Sequence, residues 1–153
     1  MDGYAVTVER VIPAPAPAIF ALLADPAQHS AIDGSGTVRQ AKPSPETRLA
    51  LGSTFGIGMH MGLSYSMLNE VVEFEDDRRI AWAPKLAGTL GRILPSGRRW
   101  RYELEPVDGG TRVRETWDIS EDRLKGLFRR GRLPEQVRKN MEATLDRIEK
   151  LVT

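Results

Sequence analysis

Hydrophobic and polar positions alternate in several stretches of the chain, a pattern typical of β-strands that bury one face. Residues 4–12, YAVTVERVI, form the first of these stretches, and TVRQ at 37–40 predicts a short second strand. From residue 54 onward the alternation is almost continuous, over the stretches TFGIGMHM, YSMLNEVVEF, RIAWA, RWRYELEP and TRVRETWDI. Most of these are separated only by turn residues, and such short connections predict antiparallel neighbours.

Two parts of the chain have the spacing of helices instead. In PAPAPAIFALLADP, residues 13–26, an apolar stripe follows the prolines, which predicts a short helix that ends at Asp25-Pro26. Residues 27–36 could add one further helical turn. At 133–152 apolar residues recur at helical spacing between charges; they are Val137, Met141, Leu145, Ile148 and Val152. This second pattern predicts a long amphipathic helix with one buried face.

The predicted order is therefore a strand, one or two short helices, about six strands and a long final helix, in a single α+β domain of residues 1–153. An antiparallel sheet with one solvent-exposed and one apolar face must bury the apolar face against another element. The long helix can supply that element, so we expect the sheet to curl around it. The connection at 85–97, KLAGTLGRILPSG, is longer than the other turns and rich in glycine. Its length makes it a candidate for a mobile or a functional segment.

Strand parity predicts which side chains face the core, because successive side chains of a strand point to opposite faces. The inward rows are rich in large rings and flexible thioethers, which suit irregular apolar ligands. The side chain of Phe74 faces the core with these rows only if its strand contains a bulge. The rows are Phe55, Ile57, Met59 and Met61; Tyr65, Met67, Asn69 and Val71; Ile80 and Trp82; Trp100, Tyr102 and Leu104; and Thr111, Val113, Glu115, Trp117 and Ile119.

Glu115 is a carboxylate in a row that otherwise suits burial. An unpaired buried carboxylate is too costly for a dry core, so Glu115 requires a partner, a bound water or a ligand. Two interpretations remain open at this point. Glu115 either pairs with an arginine at the rim of the sheet, which the sequence slightly favours, or it binds the polar end of a ligand.

Composition narrows the classes of function. The chain has 153 residues, no cysteine and a net charge of +1, which excludes thiolate chemistry and gives no global attraction to nucleic acid. Asp2, Glu9 and Arg10 interrupt any apolar signal segment, and no run approaches the ~20 apolar residues of a membrane span, so we expect a soluble, cytoplasmic protein. The histidines, His29 and His60, lack metal-ligand spacing, so no metal or other cofactor is predicted. A surface or capping role is predicted for His29, and an outward orientation for His60.

Four segments resemble the START-like superfamily, also called SRPBCC, and in particular its polyketide cyclase/dehydrase and lipid-transfer branch in small actinobacterial proteins. They are DPAQHSAIDGSGTVR, LGSTFGIGMHMG, NEVVEFEDDRRIAWAP and RWRYELEPVDGGTRVRETWD. The resemblance covers nearly the whole chain. It implies a helix-grip fold, in which a curved antiparallel sheet of about six or seven strands wraps a long C-terminal helix around an apolar cavity. It does not imply one activity, because members bind lipids, hormones or polyketides, or catalyse cyclisation or dehydration.

The leading hypothesis is a carrier, with little or no catalysis, for a small hydrophobic or amphipathic molecule such as a lipid, polyketide or isoprenoid. Its ligand would lie between the sheet and the long helix and would enter past the 85–97 loop. The competing interpretation is that the same side chains simply fill the core. The predicted contact residues are Phe55, Met59, Met67, Asn69, Trp82, Trp100, Tyr102, Glu115, Trp117, Met141 and Leu145.

Two further hypotheses remain open. In the first, the protein is a cyclase or dehydratase in which Glu115 transfers a proton and Tyr65 or Tyr102 stabilises an enolate. In the second, the basic segment 123–132, within the cationic and amphipathic stretch RLKGLFRRGRL, binds an acidic partner, as in a toxin–antitoxin pair, or makes weak contact with a membrane surface. The plainer interpretation of this segment, which the sequence favours, is that Leu124, Leu127 and Phe128 pack at the cavity mouth. The protein is expected to be a monomer or homodimer.

Overall fold

The computed structural model describes residues 3–36, 38–41, 48–61, 63–84 and 97–153, with side chains at 3–36, 48–56, 68–84 and 97–153. These ranges contain one sheet of seven antiparallel strands in the order β1-β7-β6-β5-β4-β3-β2. The strands are β1 (Ala5–Ile12), β2 (Val38–Ala41), β3 (Thr54–Met61), β4 (Leu63–Glu75), β5 (Arg79–Pro84), β6 (Arg99–Val107) and β7 (Gly110–Asp118). The first strand thus pairs with the last, and the others follow as a meander.

Short helices lie between the first two strands, and the longest helix ends the chain. The helices are α1 (Ala16–Leu23), a 3-10 turn (Pro26–Gln28), α2 (His29–Ile32), α3 (Lys125–Phe128) and α4 (Leu133–Val152). The strand and helix order predicted from the sequence is confirmed, as are the α+β class and the curved antiparallel sheet. A proline in the first turn opens α1 and α4, where the missing amide hydrogen costs nothing.

The apolar stripe of α4 is buried as its spacing predicted. Four residues of the stripe are more than nine-tenths buried: Val137, Met141, Leu145 and Ile148. Val152, in the last turn, is partly buried. This face packs against β1 and β7 on the sheet and against α1 and α2. Burial of each such side chain contributes roughly 1.5–3 kcal/mol to folding, so the stripe holds α4 on the sheet.

A bulge in β4 turns Phe74 toward the core. The pairing of β4 with β5 shifts register between Val71 and Glu73, after which Phe74 lies opposite Ile80. Phe74 then meets Phe20 of α1 edge to face, with 5.6 Å between the ring centres. The bulge that parity required at this strand is confirmed.

The opposite face of the sheet carries paired charges. Arg101 Nη2 lies 2.7 Å from Glu73 Oε2, and Arg79 and Arg99 also contact the Glu73 carboxylate. The hydrogen bond from Arg101 is the main cause that holds the pKa of Glu73 below its usual value. The Glu73 carboxylate is thus paired with arginines on the face of the sheet opposite the apolar side.

Gly34 allows the loop after α2 to lie directly on α4. Its amide donates to Thr144 Oγ1 at 2.9 Å. A Cβ at this position would meet backbone atoms of α4, among them the Asn140 carbonyl oxygen and, at 2.6 Å, the Thr144 amide nitrogen. Backbone atoms of a packed helix cannot move aside cheaply, so only glycine fits here.

Replacing Gly34 with alanine is expected to destabilise the protein by about 1–3 kcal/mol, because the loop must withdraw from α4. Urea unfolding monitored by circular dichroism measures the change. Gly126→Ala is the matched control, since a Cβ at Gly126 meets no atom within 4 Å; it is expected to be neutral or stabilising by up to about 1 kcal/mol. Equal unfolding midpoints for Gly34→Ala and the wild type would contradict the close contact.

Candidate functional site

Glu115 lies on the apolar face of the sheet, in the middle of β7. Its backbone pairs with Val8 of β1 on one side and with Tyr102 of β6 on the other. Its neighbours along the same face, Val113 and Trp117, are buried, and Glu115 itself is only 2% exposed. The carboxyl group is therefore inside the protein.

Tyr102 is the partner that holds the Glu115 carboxyl group. The Tyr102 hydroxyl donates a hydrogen bond to Glu115 Oε1 at 2.9 Å, and both side chains are buried. Glu115 Oε2 is also buried and has no hydrogen-bond partner among the residues that the structure describes. The predicted pairing with an arginine is wrong, because β-strand register sets Tyr102 directly across from Glu115 while the arginines of these strands face the other side of the sheet.

Burial changes the protonation of this pair. Loss of solvation raises the pKa of Glu115 to about 8, the hydrogen bond from Tyr102 opposes that change, and the nearby Asp33 carboxylate reinforces it. Burial, and then the Glu115 carboxylate, raise the pKa of Tyr102 well above its ordinary value. At neutral pH the site therefore holds a largely protonated carboxyl group beside a neutral phenol, an arrangement that can donate a proton or a hydrogen bond.

An aromatic group lies next to this pair. The Trp82 ring contacts the Tyr102 ring, with 5.5 Å between centres, and stacks on His29 at 4.7 Å with an interplanar angle of 23°. Phe55 meets both His29 and Trp82 edge to face. These four rings come from α2, β3, β5 and β6, so the fold assembles a continuous aromatic wall from distant parts of the chain.

His29 belongs to this wall and does not lie at the surface. It is 4% exposed, and its Nε2 lies 2.9 Å from the Leu23 carbonyl oxygen. Its Nδ1 is buried and has no hydrogen-bond partner in the described ranges. Burial lowers the pKa of His29. The predicted surface role is wrong, because α2 is a single turn and His29 packs against Phe55 and Trp82. The alternative prediction, a capping role, agrees with the contact of Nε2 with Leu23, the last residue of α1.

A second aromatic group continues along β6 and β7. Trp100 and Trp117 lie 6.1 Å apart, and Phe128 of α3 approaches Trp117 at 6.4 Å. Phe128 therefore packs as expected, but Leu124 and Leu127 are 37% and 65% exposed. The prediction that these two leucines pack at the cavity mouth is wrong, because α3 is one turn long and presents only one side to the sheet. The acidic-partner or membrane-surface role of this segment stays a prediction.

The predicted contact residues with described side chains all lie on the apolar face of the fold. All are buried except Trp100, which is partly buried; they are Phe55, Asn69, Trp82, Trp100, Tyr102, Glu115, Trp117, Met141 and Leu145. The predicted roles of Met59, Tyr65 and Met67 rest on side chains outside the described residues, as does His60, and the 85–97 loop is described only at Gly97. Ligand contact itself stays a prediction for every one of these residues.

Sequence reasoning did not select His29 or Asp33 for the site. Asp33 follows α2, and its charge acts on both Glu115 and Tyr102. Within the described part of the chain, no group of three or more His, Asp or Glu side chains is arranged to hold a metal ion. No helix in that part is long and apolar enough to cross a membrane.

Comparison with protein families gives one match over nearly the whole chain. Residues 4–153 match the model of the polyketide cyclase/dehydrase and lipid transport family. A curated relative, Uncharacterized protein Rv0088 of Mycobacterium tuberculosis, is 37% identical over 109 residues, which cover 70% of this chain and 44% of the relative. The matched region thus spans less than half of that relative's length.

Solved structures share the fold at low sequence identity. Protein NE0264 from Nitrosomonas europaea superposes with a TM-score of 0.72 at 17% identity, covering 99% of this chain and 96% of that one. The Aha1 dimer from Colwellia psychrerythraea gives a TM-score of 0.65 at 13% identity, covering 97% and 95%. The predicted resemblance to START-like proteins is confirmed, as is the helix-grip arrangement of a curved sheet around a long final helix. The apolar cavity and the oligomeric state stay predictions.

Proposed function

Because the chain belongs to the polyketide cyclase/dehydrase and lipid transport family, we propose that it binds a small hydrophobic or amphipathic molecule. The molecule lies between the sheet and α4, and its polar group contacts Glu115. Family membership supports a ligand of this general kind. The choice of Glu115 as its polar contact comes from the geometry of this chain.

One observation carries the proposal. Glu115 Oε2 is buried without a hydrogen-bond partner among the described residues, while Oε1 is held by Tyr102. A buried polar atom that stays unpaired costs roughly 1–3 kcal/mol, and such atoms in native proteins are few. A ligand group that accepts a hydrogen bond from Oε2 removes this cost. The aromatic wall of Phe55, Trp82 and Tyr102 supplies apolar surface for the rest of the molecule.

Catalysis is the second candidate, favoured by the raised pKa of Glu115. A carboxyl group whose pKa is about 8 is protonated at neutral pH and can act as a general acid, and its conjugate base is strong enough to remove a proton. To stabilise an enolate oxygen, the Tyr102 hydroxyl would have to turn its one hydrogen from Glu115 Oε1 to the substrate. These are the requirements of a cyclisation or dehydration step, and turnover that vanishes in Glu115→Gln would support it.

Binding is tested by tryptophan fluorescence with 2-undecanone, an aliphatic ketone that absorbs only weakly where tryptophan is excited. We expect saturable changes in emission, because Trp82, Trp100 and Trp117 all lie on the apolar face. Glu115→Leu should weaken binding about five- to tenfold, the effect of one lost hydrogen bond. Glu105→Leu, at an exposed position of β6, is the matched control and should bind as the wild type does. No saturable response to neutral or charged apolar probes would overturn the proposal.

A further inference from the structure

Three buried side-chain atoms have no hydrogen-bond partner in the described ranges: Glu115 Oε2, His29 Nδ1 and Asp122 Oδ2. Two of these, Glu115 Oε2 on β7 and His29 Nδ1 on α2, lie beside the same aromatic wall, because Trp82 stacks on His29 and also contacts Tyr102, which binds Glu115. Glu115 and His29 are both more than nine-tenths buried. Each unpaired buried group carries a similar cost, so a molecule that satisfies both Glu115 and His29 removes about twice the cost that is removed by a molecule satisfying one of them.

The hydrogen-bonding sense of His29 follows from its contact with Leu23. A carbonyl oxygen only accepts, so the Nε2 atom 2.9 Å away carries the proton. Burial lowers the pKa of His29 and keeps the ring neutral, and a neutral ring with a proton on Nε2 has a lone pair on Nδ1. His29 therefore offers an acceptor.

Glu115 has the opposite hydrogen-bonding role to His29. Tyr102 donates to Oε1, which leaves the proton of the neutral carboxyl group on Oε2. Glu115 therefore offers a donor at neutral pH. The Trp82 ring contacts both the His29 ring and the Tyr102 ring, so apolar surface separates the two polar atoms.

The surrounding charges disfavour an anionic ligand. The charged group whose field reaches both Glu115 and Tyr102 is Asp33, another carboxylate. The buried polar residues of the described ranges include no lysine or arginine; they are His29, Ser53, Asn69, Thr111, Glu115, Thr116, Asp122 and Thr144. Among the described residues, none supplies a buried counter-charge for a carboxylate or phosphate at this site, and an unpaired buried charge is strongly unfavourable.

We propose that the ligand is an uncharged molecule with a hydroxyl or other hydrogen-bond donor at one end, a carbonyl or other acceptor at the other, and an apolar body between them. Its donor meets His29 Nδ1 and its acceptor meets Glu115 Oε2. This inference rests on the proposed function, and it narrows the ligand from any amphipathic molecule to a neutral hydroxy-carbonyl compound.

Calorimetric titration at about pH 6.5 with three derivatives of acetonaphthone tests the inference. The derivatives carry a hydroxyl, a methoxy or a carboxylate group on the ring remote from the acetyl group. The hydroxyl compound should bind the wild type about five- to tenfold more tightly than the methoxy compound, which has a similar shape but no donor. The carboxylate should bind most weakly.

His29→Phe keeps an aromatic ring against Trp82 and removes both ring nitrogens. In this variant the ratio of the hydroxyl to the methoxy affinity should fall to about one, while the contribution of the acetyl group that contacts Glu115 remains. A general loss of structure would instead weaken binding of both compounds. The wild-type comparison stands by itself if the variant does not fold.

The outcomes separate the inference from the proposed function. Equal binding of the hydroxyl and methoxy compounds, or binding of the carboxylate as tight as that of the hydroxyl compound, would overturn the inference and leave ligand binding intact. A hydroxyl preference that survives in His29→Phe would remove His29 from the site. No binding of any of these compounds or of 2-undecanone would overturn both.

Discussion

Glu115→Gln is expected to remove most of the loss of stability that the wild type suffers between about pH 4.5 and pH 8. Burial raises the pKa of Glu115 from 4.5 to about 8, so the folded protein keeps a proton that the unfolded chain releases. Stability therefore falls as the pH rises through this interval, and it is constant with respect to this group below and above it. Each pKa unit corresponds to about 1.4 kcal/mol, so the variant should exceed the wild type by a few kcal/mol at pH 8.

Urea unfolding of both proteins at several values between pH 4.5 and pH 9 measures this difference. Glu105→Gln is the matched control, because the Glu105 side chain is 66% exposed and its removal should change stability by only about 0.5 kcal/mol. Asp33→Asn keeps the hydrogen-bonding shape of Asp33 but removes its charge, which should move the wild-type transition to lower pH. Parallel curves for the wild type and Glu115→Gln would mean that Glu115 is ionised and solvated.

The second large effect is expected from Leu145→Trp on α4. If a pocket lies beside Leu145, the indole fills it, and binding of 2-undecanone should weaken about a hundredfold, equivalent to about 3 kcal/mol of lost contact. The same change should cost less than about 1 kcal/mol of stability, whereas added volume in a well-packed core costs about 1–3 kcal/mol or more. Fluorescence titration and urea unfolding of the same sample give both numbers.

Ile148→Trp provides the comparison for Leu145→Trp. Ile148 lies three residues further along the same buried stripe of α4 and is fully buried, but it is not among the predicted contact residues. Its replacement should destabilise the protein by about 1–3 kcal/mol. Equal destabilisation by the two substitutions would show that the space beside Leu145 is packed solid, which is the plainer interpretation of the inward rows.

Much of the fold could be predicted because its determinants are local. Period-two alternation set the strands, helical spacing set α4, and parity placed Tyr102, Glu115 and Trp117 on one face of the sheet. The bulge before Phe74 could also be predicted, because an aromatic residue out of phase with its row has to turn inward somehow. Strand parity predicts the buried face because a shift of one residue would move every side chain of the strand to the opposite face of the sheet.

The partners of the site residues could not be predicted in the same way. Glu115 meets Tyr102 because of the register between β6 and β7, which alternation alone leaves undetermined. His29 sits in a one-turn helix too short to show a periodic apolar face, and its burial depends on Phe55 and Trp82, which are distant in sequence. The one available signal for His29 was its position between an apolar helix and a turn rich in glycine, which does not distinguish a buried side from an exposed one.

Infrared difference spectroscopy on the Glu115 carboxyl group tests ligand contact at this residue most directly. Spectra of the wild type minus Glu115→Gln, recorded at neutral pH with and without 2-undecanone, isolate the C=O stretch of this one side chain. We predict a band of a protonated carboxylic acid that shifts when the ketone binds. A carboxylate signature at neutral pH, or a protonated band that stays unchanged while the ketone is bound, would contradict a neutral Glu115 that contacts the ligand.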